Sequence, residues 1–246
     1  MERLVSLLRE SQYCVVLTGA GVSTLSGIPD FRGKTGLYQK YDADKLFSID
    51  EFRRDPSYFY NNSKEIVYGA HEKQPNIIHT VLADLEKEGR VKSIVTQNID
   101  MLHQKAGSKK VIEIHGSPAL HRCLGCGEEF PYGDVIEIIS RGEIPRCGKC
   151  SGYVKPEIVF YGEPLNQTDL WNAVQEAEKA DLMLILGSSL LVNPAASLPL
   201  HTMRNKGKVV IVNNQPTHLD DIAAIKYPDL EEVFRHLKEA DWKAIL

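Results

Sequence analysis

Apolar runs alternate with stretches of helical periodicity along most of the chain. Short apolar runs predict five β-strands, at residues 14–17, 91–95, 110–114, 182–186 and 208–212. Apolar positions three and four residues apart predict five helices, at residues 2–10, 77–88, 167–180, 195–205 and 229–240. The apolar stretches at 182–186 and 209–212 are continuous, which is typical of strands covered on both faces. The pattern therefore predicts an α/β fold with a parallel sheet.

Two stretches interrupt this alternation. Residues 33–75 are rich in aromatic and charged side chains and contain no convincing strand, although helices are expected at 50–54 and 57–72. Residues 119–156 carry two cysteine pairs and several glycines. We expect these two stretches to form a smaller second lobe. The remaining segments, residues 1–32, 76–118 and 157–246, would then form a discontinuous sheet domain.

Composition excludes several classes of function. The chain has 246 residues, with 29 Lys+Arg against 33 Asp+Glu and a net charge of −4, which disfavours direct nucleic-acid binding but is compatible with a lysine-rich peptide partner. The apolar run at 182–186 is far shorter than the roughly 20 residues of a membrane-spanning helix. Charges interrupt the apolar N-terminal segment, unlike a signal peptide. We expect no membrane association and a cytoplasmic location.

Four of the five cysteines form two close pairs, Cys123/Cys126 and Cys147/Cys150. Two such Cys-x-x-Cys pairs are typical of a four-thiolate zinc site, and four protein ligands leave no open position for catalysis. The alternative, two surface disulfides, fits poorly with a cytoplasmic chain. We therefore predict one structural Zn²⁺. Cys14, in the first predicted strand, is expected to be a small buried apolar residue.

The first predicted strand leads into a glycine-rich turn at Gly19 and Gly21, which is suited to close approach by a phosphate. The glycine spacing, with the next glycine at Gly27, departs from the usual dinucleotide fingerprint, and no acidic residue ends a second strand about twenty residues on. These departures disfavour a hydride-transfer dehydrogenase. Asp30 and the two residues that follow it supply an acid, an aromatic ring and a guanidinium beside the expected pyrophosphate.

Small or polar residues follow each of the other predicted strands. Because ligands bind beyond the carboxyl ends of the strands in open α/β sheets, five such ends indicate a buried ligand of dinucleotide size. The residues concerned are Thr96-Gln97-Asn98-Ile99-Asp100, His115-Gly116-Ser117, Gly187-Ser188-Ser189 and Asn213-Asn214.

Each of these positions also has a purely structural interpretation. His115 is interpreted as a general base or as a hydrogen-bonded structural residue, and Asn98 as a site residue or as a helix cap. Gly187-Ser188-Ser189 is a phosphate or ribose site, or only a turn. Asp30 is a catalytic acid, a turn cap or a partner of Arg32, which by itself is as compatible with a solvated surface pair.

Taken together, the motifs are similar to those of the sirtuins, NAD-dependent protein-lysine deacylases, in their bacterial and archaeal form. The resemblance rests on Gly19-Ala20-Gly21-Val22-Ser23, Gly27-Ile28-Pro29-Asp30-Phe31-Arg32, Thr96-Gln97-Asn98-Ile99-Asp100, His115-Gly116, the cysteine pairs and Gly187-Ser188-Ser189. The motifs occur in the family's order and extend from residue 18 to about residue 227. The resemblance implies a Rossmann-like domain with a smaller lobe made of a zinc module (119–156) and a helical module (33–75).

The resemblance also implies the roles of individual residues. NAD would be consumed as a co-substrate, with an acetyl-lysine peptide as its partner. The residues expected to contact NAD are Gly19, Ala20, Gly21, Ser23, Thr24, Asp30, Phe31, Arg32, Gln97, Ile99, Gly187, Ser188, Ser189, Asn213 and Asn214. Catalysis would involve His115 as the general base, with Asn98 and Asp100 in the nicotinamide pocket. The substrate peptide would pair with Val159, Phe160, Tyr161, Gly162, Val192, Asn193 and Pro194.

The implied reaction transfers the acetyl group to ADP-ribose and releases nicotinamide and free lysine. Lys155-Pro156 stands where many members have Arg-Pro, a mild change near the peptide site. Residues 58–64 lack the Tyr-x-x-Arg pair of members that prefer acidic acyl groups, so neutral acyl groups are expected.

Residues 33–38 resemble the family's flexible cofactor-binding loop. A mono-ADP-ribosyltransferase and a catalytically idle NAD-binding scaffold remain the alternatives.

Overall fold

The computed structural model describes residues 1–33 and 36–242. Its main element is a six-stranded sheet with every neighbouring pair parallel. In chain order the strands are β1 (Cys14–Thr18), β2 (Val91–Thr96), β3 (Val111–Glu113), β4 (Gly116–Cys123), β5 (Glu129–Pro131), β6 (Val154–Ile158), β7 (Leu182–Leu186), β8 (Lys208–Val212) and β9 (Ile225–Tyr227). The parallel sheet has the order β3-β2-β1-β7-β8-β9, and a second, antiparallel sheet has the order β5-β4-β6.

Eleven α-helices lie within the described ranges. They are α1 (Glu2–Glu10), α2 (Leu37–Lys40), α3 (Ala43–Leu46), α4 (Ile49–Arg54), α5 (Ser57–Asn62), α6 (Ile77–Lys87), α7 (Leu102–Ala106), α8 (Tyr132–Ser140), α9 (Gln167–Lys179), α10 (Leu198–Arg204) and α11 (Leu230–Glu239). Shorter 3₁₀ turns cover Ala20–Ser26, Ala70–Glu72 and Ala195–Ser197, and a π-helical turn covers Lys64–Tyr68. No helix in residues 1–33 and 36–242 is both long and apolar enough to cross a membrane.

Both faces of the parallel sheet are buried, as the continuous apolar strands predict. Val16 faces a core formed with α1, α6 and α11, whereas its neighbours Val15 and Leu17 face a core formed with α9 and α10. Alternate residues of one strand therefore enter different cores, so that both faces of the strand are covered. The α/β, Rossmann-like prediction is confirmed by this arrangement.

A third core joins the two stretches that interrupt the sheet domain. It contains Phe47, Phe52 and Phe59 from residues 33–75 together with Val135 and Cys123 from residues 119–156. The aromatic rings meet at centroid distances of 5.6 Å for Phe52–Phe59 and 6.2 Å for Phe47–Phe59. Edge-to-face contacts of this kind stabilise beyond the area that they bury. The aromatic residues of 33–75 thus form one shared core with the cysteine-bearing stretch, separate from the two cores of the parallel sheet.

Several predicted elements differ from those observed. The helix expected at 57–72 is broken, because α5 ends at Asn62 and is followed by the π-helical and 3₁₀ turns. Asn61, Asn62 and Ser63 are weak helix formers in the interior, which accounts for the break. The strand expected at 110–114 is shorter and spans Val111–Glu113. The five strands and five main helices otherwise lie where the pattern predicts them. The helix expected at 195–205 is divided into the 3₁₀ turn Ala195–Ser197 and α10.

Candidate active site

A cavity of about 580 Å³ lies beyond the carboxyl ends of the parallel strands. Turns after five strands contribute to it, as the sequence predicts, and the turn after β9 adds a sixth. The predicted site residues that line it are Gly19, Ala20, Gly21, Thr24, Asp30, Phe31, Arg32, Gln97, Asn98, Ile99, His115, Val159, Phe160, Tyr161, Gly162, Gly187, Ser188, Ser189, Val192, Asn193, Asn213 and Asn214. The cavity is long enough to receive ligand groups at several strand ends at once.

Three predicted residues do not line the cavity. Ser23 and Asp100 lie behind its wall, both buried, and Pro194 follows the lining residue Asn193. The cavity also includes residues that the sequence analysis missed, Gln215 and residues 228–231 among them. They follow β9, a three-residue strand too short to predict. The pair Pro228-Asp229, after a β-branched and aromatic stretch, was the available signal.

The glycines after β1 are needed because two turns pack closely. A Cβ atom at Gly19 would lie 2.7 Å from the carbonyl oxygen of Gly187, and one at Gly21 would lie 2.7 Å from the Gly187 Cα. Gly187 itself has φ of +60°. The turns after β1 and β7 can therefore meet only without side chains. This close approach fixes the floor of the cavity between two neighbouring strands.

Asn98, Ser23 and Asp100 form one buried hydrogen-bonded network. Asn98 Nδ2 donates to the Gly19 carbonyl at 3.1 Å and to Ser23 Oγ at 3.3 Å. Ser23 Oγ donates to Asp100 Oδ2 at 2.6 Å, and Asp100 Oδ1 accepts from Leu102 N at 2.9 Å. The helix-cap interpretation of Asn98 is wrong, because the carboxylate that binds the first turn of α7 belongs to Asp100. The network locks the turn after β2 onto the turn after β1.

His115 is arranged to act as a neutral base. Its Nδ1 lies 3.0 Å from the carbonyl oxygen of Gln97, which can only accept, so Nδ1 carries the proton and Nε2 has a free lone pair. Burial lowers the pKa of His115 below the usual value of 6.5, although the hydrogen bond to Gln97 acts in the opposite direction. The imidazole is therefore neutral at pH 7. The bonded Nδ1 fixes which nitrogen remains basic.

Asp30 shapes the loop that begins at the cavity wall. Its Oδ1 accepts from Gly33 N at 2.8 Å, and a Cβ at Gly33 would lie 2.4 Å from Asp30 Oδ2. This side-chain bond caps the tight turn formed by residues 30–33. The structure therefore shows a turn-capping contact for Asp30. Part of the loop predicted to be flexible, residues 34–35, lies outside the described residues.

Phe31 and Arg32 are held by aromatic neighbours. The Phe31 ring contacts Phe47 at a centroid distance of 6.2 Å and Tyr38 at 6.4 Å. The Arg32 guanidinium lies 5.3 Å from the Tyr38 ring centroid. Tyr38 in turn donates to Asp44 Oδ1 at 2.8 Å. The aromatic wall is thus continuous with the core of the helical stretch.

The segment at 159–162 is bound on one side by the protein itself. Val159 N donates to the His115 carbonyl at 2.8 Å, and Tyr161 N donates to the Phe47 carbonyl at 2.6 Å. Beneath it, Lys155 Nζ donates to the Ile158 carbonyl at 2.7 Å and pairs with Glu163 at 2.8 Å. Lys155 is buried, with its ammonium 4.1 Å from the Phe160 ring centroid. The segment is therefore held at the edge of the cavity by contacts on one side, and it ends in a turn at Gly162.

The four paired cysteines meet at one point of the zinc-type module. The Sγ atoms of Cys123, Cys126, Cys147 and Cys150 all lie within 4.8 Å of one another, and none forms a disulfide. A Cβ at Gly152 would lie 2.9 Å from Cys123 Sγ, so the backbone is close to the thiolates. Four thiolates in one cluster fit a closed tetrahedral Zn²⁺ site. Cys14 is fully buried in β1, as expected.

Comparisons with known proteins agree with this site. The sequence profile of the Sir2 family matches residues 19–194. The NAD-dependent protein deacetylase of Thermotoga maritima is 47% identical over 240 residues, which cover 97% of this chain and 97% of the relative. A solved structure of Sir2 with a p53 peptide and NAD⁺ has a TM-score of 0.91 at 45% identity, covering 97% of both chains.

A second solved structure, of Sir2 with a deacetylated p53 peptide and 3′-O-acetyl ADP ribose, has a TM-score of 0.93 at 46% identity and covers 97% of both chains. At these identities and coverages, the likeness extends over nearly the whole chain. The chain belongs to the Sir2 family.

Proposed function

We propose that this protein is an NAD-dependent protein-lysine deacetylase. It transfers the acetyl group of acetyl-lysine to ADP-ribose and releases nicotinamide and free lysine. The observation that carries the proposal is a neutral, oriented His115 in the same cavity as the Asn98 network. The related Thermotoga maritima protein bears the same activity in its name. Two Sir2 structures hold the peptide with NAD⁺ or with an acetylated ADP-ribose.

The reaction uses NAD as a substrate and needs no metal at the reacting carbon. The acyl oxygen of the acetylated lysine attacks the ribose carbon that bears nicotinamide. The bond between that carbon and the nicotinamide nitrogen breaks, and its electron pair returns to the pyridinium ring. His115 Nε2 then takes the proton of a ribose hydroxyl, which attacks the resulting imidate carbon. Lysine leaves as the amine, and water completes O-acetyl-ADP-ribose. Positioned general bases of this kind contribute on the order of 10² to 10⁴ in rate.

Individual cavity residues take their roles from this chemistry. Asn98 and Asp100 define the nicotinamide end, where Asp100 holds the shape of the pocket from behind through Ser23. Phe31 covers the reacting ribose face and excludes water. The polar turns at Gln97, Ser188 and Asn213, with the glycine turns, receive the phosphates and riboses. Asp30 serves as a structural residue that keeps Phe31 in place.

The substrate peptide is proposed to enter as an added strand between two segments of the cavity edge. Residues 159–162 and 192–194 are proposed to pair with its backbone, since both border the cavity. Neutral acyl groups are favoured, because Tyr58 is followed by no arginine within residues 59–64. Phe59 and Tyr60 are buried in the aromatic core and supply no anion-binding group. Acetyl and longer neutral acyl groups fit this wall better than succinyl or malonyl groups.

The remaining assignments follow from the same proposal. Residues 1–32, 76–118 and 157–246 constitute the NAD-binding domain, residues 33–75 the helical module and residues 119–156 the zinc module. Cys123, Cys126, Cys147 and Cys150 hold one structural Zn²⁺ that ties together the turns beside β4 and β6. We place the protein in the cytoplasm, where reduced thiolates and NAD are both available.

A product analysis separates deacetylation from the alternatives. The protein is incubated with NAD and a panel of acetyl-, propionyl-, succinyl- and malonyl-lysine peptides, and all products are identified by mass. Deacetylation yields nicotinamide, deacetylated peptide and O-acetyl-ADP-ribose in equal amounts. We expect turnover mainly with the acetyl and propionyl peptides, whose acyl groups are neutral. Detection of ADP-ribose attached to a protein or peptide would instead favour a mono-ADP-ribosyltransferase. Absence of NAD consumption with every peptide would favour an idle scaffold and contradict the proposal.

A further inference from the structure

Tyr161 carries a hydroxyl that joins the segment at 159–162 to a second stretch of the cavity lining. Its Oη lies 3.0 Å from Oη of Tyr38, which is 123 positions away in the sequence. Tyr161 lines the cavity and is 43% exposed. Tyr38 follows the loop that carries Phe31 and Arg32, which also line the cavity. The two hydroxyls therefore link parts of the site that are far apart in the sequence.

The proton of Tyr38 determines the direction of this contact. Tyr38 Oη donates to Asp44 Oδ1 at 2.8 Å, and a carboxylate can only accept. Burial raises the pKa of Tyr38 above its usual value of 10, so the hydroxyl keeps its proton at pH 7. Because that one proton is used for Asp44, Tyr161 must donate to Tyr38. The three residues therefore form a chain of two hydrogen bonds, from Tyr161 through Tyr38 to Asp44.

Tyr38 is fixed to Phe31 by its backbone as well as by its ring. Tyr38 N donates to the Phe31 carbonyl at 3.1 Å. A Cβ at Gly36 would lie 2.6 Å from the same carbonyl oxygen, so the two sides of the loop are in contact there. The side chain of Tyr38 also contacts the Phe31 ring and the Arg32 guanidinium. A displacement of Tyr38 would therefore displace both of these cavity residues.

Tyr161 is held on its own side by contacts that do not involve its hydroxyl. Its N donates to the Phe47 carbonyl at 2.6 Å, and its carbonyl accepts from Ile49 N at 3.1 Å. Phe47 and Ile49 are both buried in the third core. The backbone of Tyr161 is therefore anchored independently. Loss of the hydroxyl should release the loop and leave the segment at 159–162 in place.

We propose that Tyr161 is a positioning residue for the cofactor, whose hydroxyl holds Phe31 and Arg32 in place through Tyr38. The residue belongs to the segment proposed to bind the peptide, but its hydroxyl acts on the binding of the other ligand. Its effect on the reaction rests on the proposed function, since Phe31 and Arg32 are taken to contact the ADP-ribose part of NAD. Both hydrogen bonds are exposed to solvent, so water competes with them and each contributes modestly.

Amide hydrogen exchange of the free protein tests the attachment of the loop without any ligand. Tyr161→Phe keeps the ring and removes the donor. Relative to the amides of β1, the amide of Tyr38 should then exchange about threefold faster, the effect of one modest hydrogen bond. Tyr153→Phe, which removes a hydroxyl from the stretch that carries the paired cysteines, is the control and should leave this rate unchanged. An unchanged rate in Tyr161→Phe would overturn the proposal.

The affinity for ADP-ribose, which is NAD without its nicotinamide, tests the consequence for the site. Calorimetry of Tyr161→Phe should show a rise of about threefold in the Kd of ADP-ribose. The Kd of an acetylated peptide should change by less than about 1.5-fold, because the backbone of the segment stays anchored. A rise in the peptide Kd without one for ADP-ribose would show that the hydroxyl acts only on its own segment and would contradict the proposal.

Tyr38→Phe completes the test, because it removes both bonds of the chain. The double variant Tyr38→Phe/Tyr161→Phe should therefore match Tyr38→Phe alone in its affinity for ADP-ribose. Multiplied effects in the double variant would show that the two hydroxyls act separately and would overturn the proposal. If the wild-type protein does not bind ADP-ribose, the proposed function fails, and the exchange rates of the free protein still decide whether Tyr161 holds the loop.

Discussion

The two ends of the parallel sheet each hold a buried polar cluster, and the clusters differ in how their hydrogen bonds are used. At the amino end, Glu176 on α9 accepts from Ser93 Oγ at 2.7 Å and Tyr13 Oη at 3.0 Å and pairs with Lys110 at 2.6 Å. At the carboxyl end, Asn98 lines the cavity and begins a network that continues behind the wall through Ser23 to Asp100. The first cluster is complete in itself, whereas the second adjoins the site.

The difference shows how one set of strands serves two purposes. Burial alone would raise the pKa of Glu176, but Lys110, Ser93 and Tyr13 outweigh it, so the pKa is lowered and the carboxylate stays charged. That pairing stabilises the fold and offers nothing to a ligand. At the carboxyl end, burial instead keeps His115 neutral, with a free lone pair. The cluster at the amino end therefore stabilises the fold, and the carboxyl end holds the group that can act as a base.

Removal of zinc should have the largest effect, and it tests whether the carboxyl-end site depends on the second lobe. Structural zinc contributes on the order of 10 kcal/mol or more to folding, so its chelation should unfold residues 119–156 and abolish activity. Metal analysis should give one equivalent of zinc. Cys147→Ser should lose zinc, whereas Cys14→Ala, a control outside the cluster, should retain it. Full activity without bound metal would contradict the structural assignment.

His115→Ala should remove deacetylation while leaving the fold and NAD binding intact. The rate should fall by about 10² to 10⁴, because the ribose hydroxyl loses its base. Product formation is followed by mass, NAD affinity by calorimetry and stability by urea unfolding. Near-wild-type turnover would show that His115 has only the structural role of holding the Gln97 carbonyl.

A pair of substitutions at opposite ends of the sheet tests the comparison itself. Glu176→Ala should lower the free energy of unfolding by about 2 kcal/mol, because the buried Ser93 hydroxyl loses its acceptor and the half-exposed Lys110 loses its ion pair, while kcat/KM of the folded protein stays within about twofold. Asn98→Ala should do the reverse, with a strong loss of nicotinamide affinity and a loss of stability of about 1 kcal/mol. If each variant changed both stability and activity by similar amounts, the two ends of the sheet would not have separate roles in stability and in function.

Acid should destabilise the carboxyl end before the amino end. Burial lowers the pKa of His79 to about 4, against a smaller opposing effect of Asp100, and burial and His79 lower the pKa of His103 to about 3. Both rings are neutral when folded, whereas in the unfolded chain they bind protons below about pH 6.5. Their contribution is therefore complete above pH 6.5 and is lost as the pH falls towards 4.

The expected loss is about 2 kcal/mol for each histidine between pH 7 and pH 5. Glu176 has a lowered pKa, so its contribution is lost only at a lower pH. Urea unfolding at the two pH values measures the difference. The double variant His79→Gln/His103→Gln should lose the part that these two rings carry and keep the part of buried His121, whose pKa burial also lowers to about 4. An unchanged pH dependence in the double variant would show that other groups carry it.

The smallest effect is expected at the peptide segment. Lys155→Arg keeps the charge beside Glu163 and should change the peptide KM by less than about threefold. Lys155→Met removes the donor to the Ile158 carbonyl and should raise the peptide KM by about tenfold, with the KM for NAD unchanged. Peptide titrations at saturating NAD check both values. An equal effect on NAD would mean that Lys155 supports the whole cavity.

Much of the fold could be predicted because its strands are continuous apolar runs. The sheet strands β1, β2, β7 and β8 each lie within one residue of the predicted bounds. The three-residue β9 and the five-residue α7 were not predicted, since elements of this length carry no periodicity. The strands β4 and β6 were also missed, because each contains a proline, Pro118 or Pro156, and proline inside a run argues against a strand.

The site could be predicted as far as parallel topology determines it. Residues that directly follow strands, such as His115 and Ser188, meet in the cavity because the strand ends share one edge. The position of Asp100 behind Ser23 depends on a turn geometry that sequence does not specify. His79 and His103 were not singled out, because a histidine on a helix face carries no signal until its neighbours are known.

Exchange of labelled nicotinamide into NAD tests most directly whether the carboxyl-end cluster cleaves NAD. Attack by the acyl oxygen on the ribose carbon is reversible and precedes proton removal by His115. Because the acyl oxygen comes from the peptide, exchange should require the acetylated peptide. It should persist in His115→Ala, which makes no deacetylated product, and disappear in Asn98→Ala. Exchange without the peptide, or its retention in Asn98→Ala, would contradict this account.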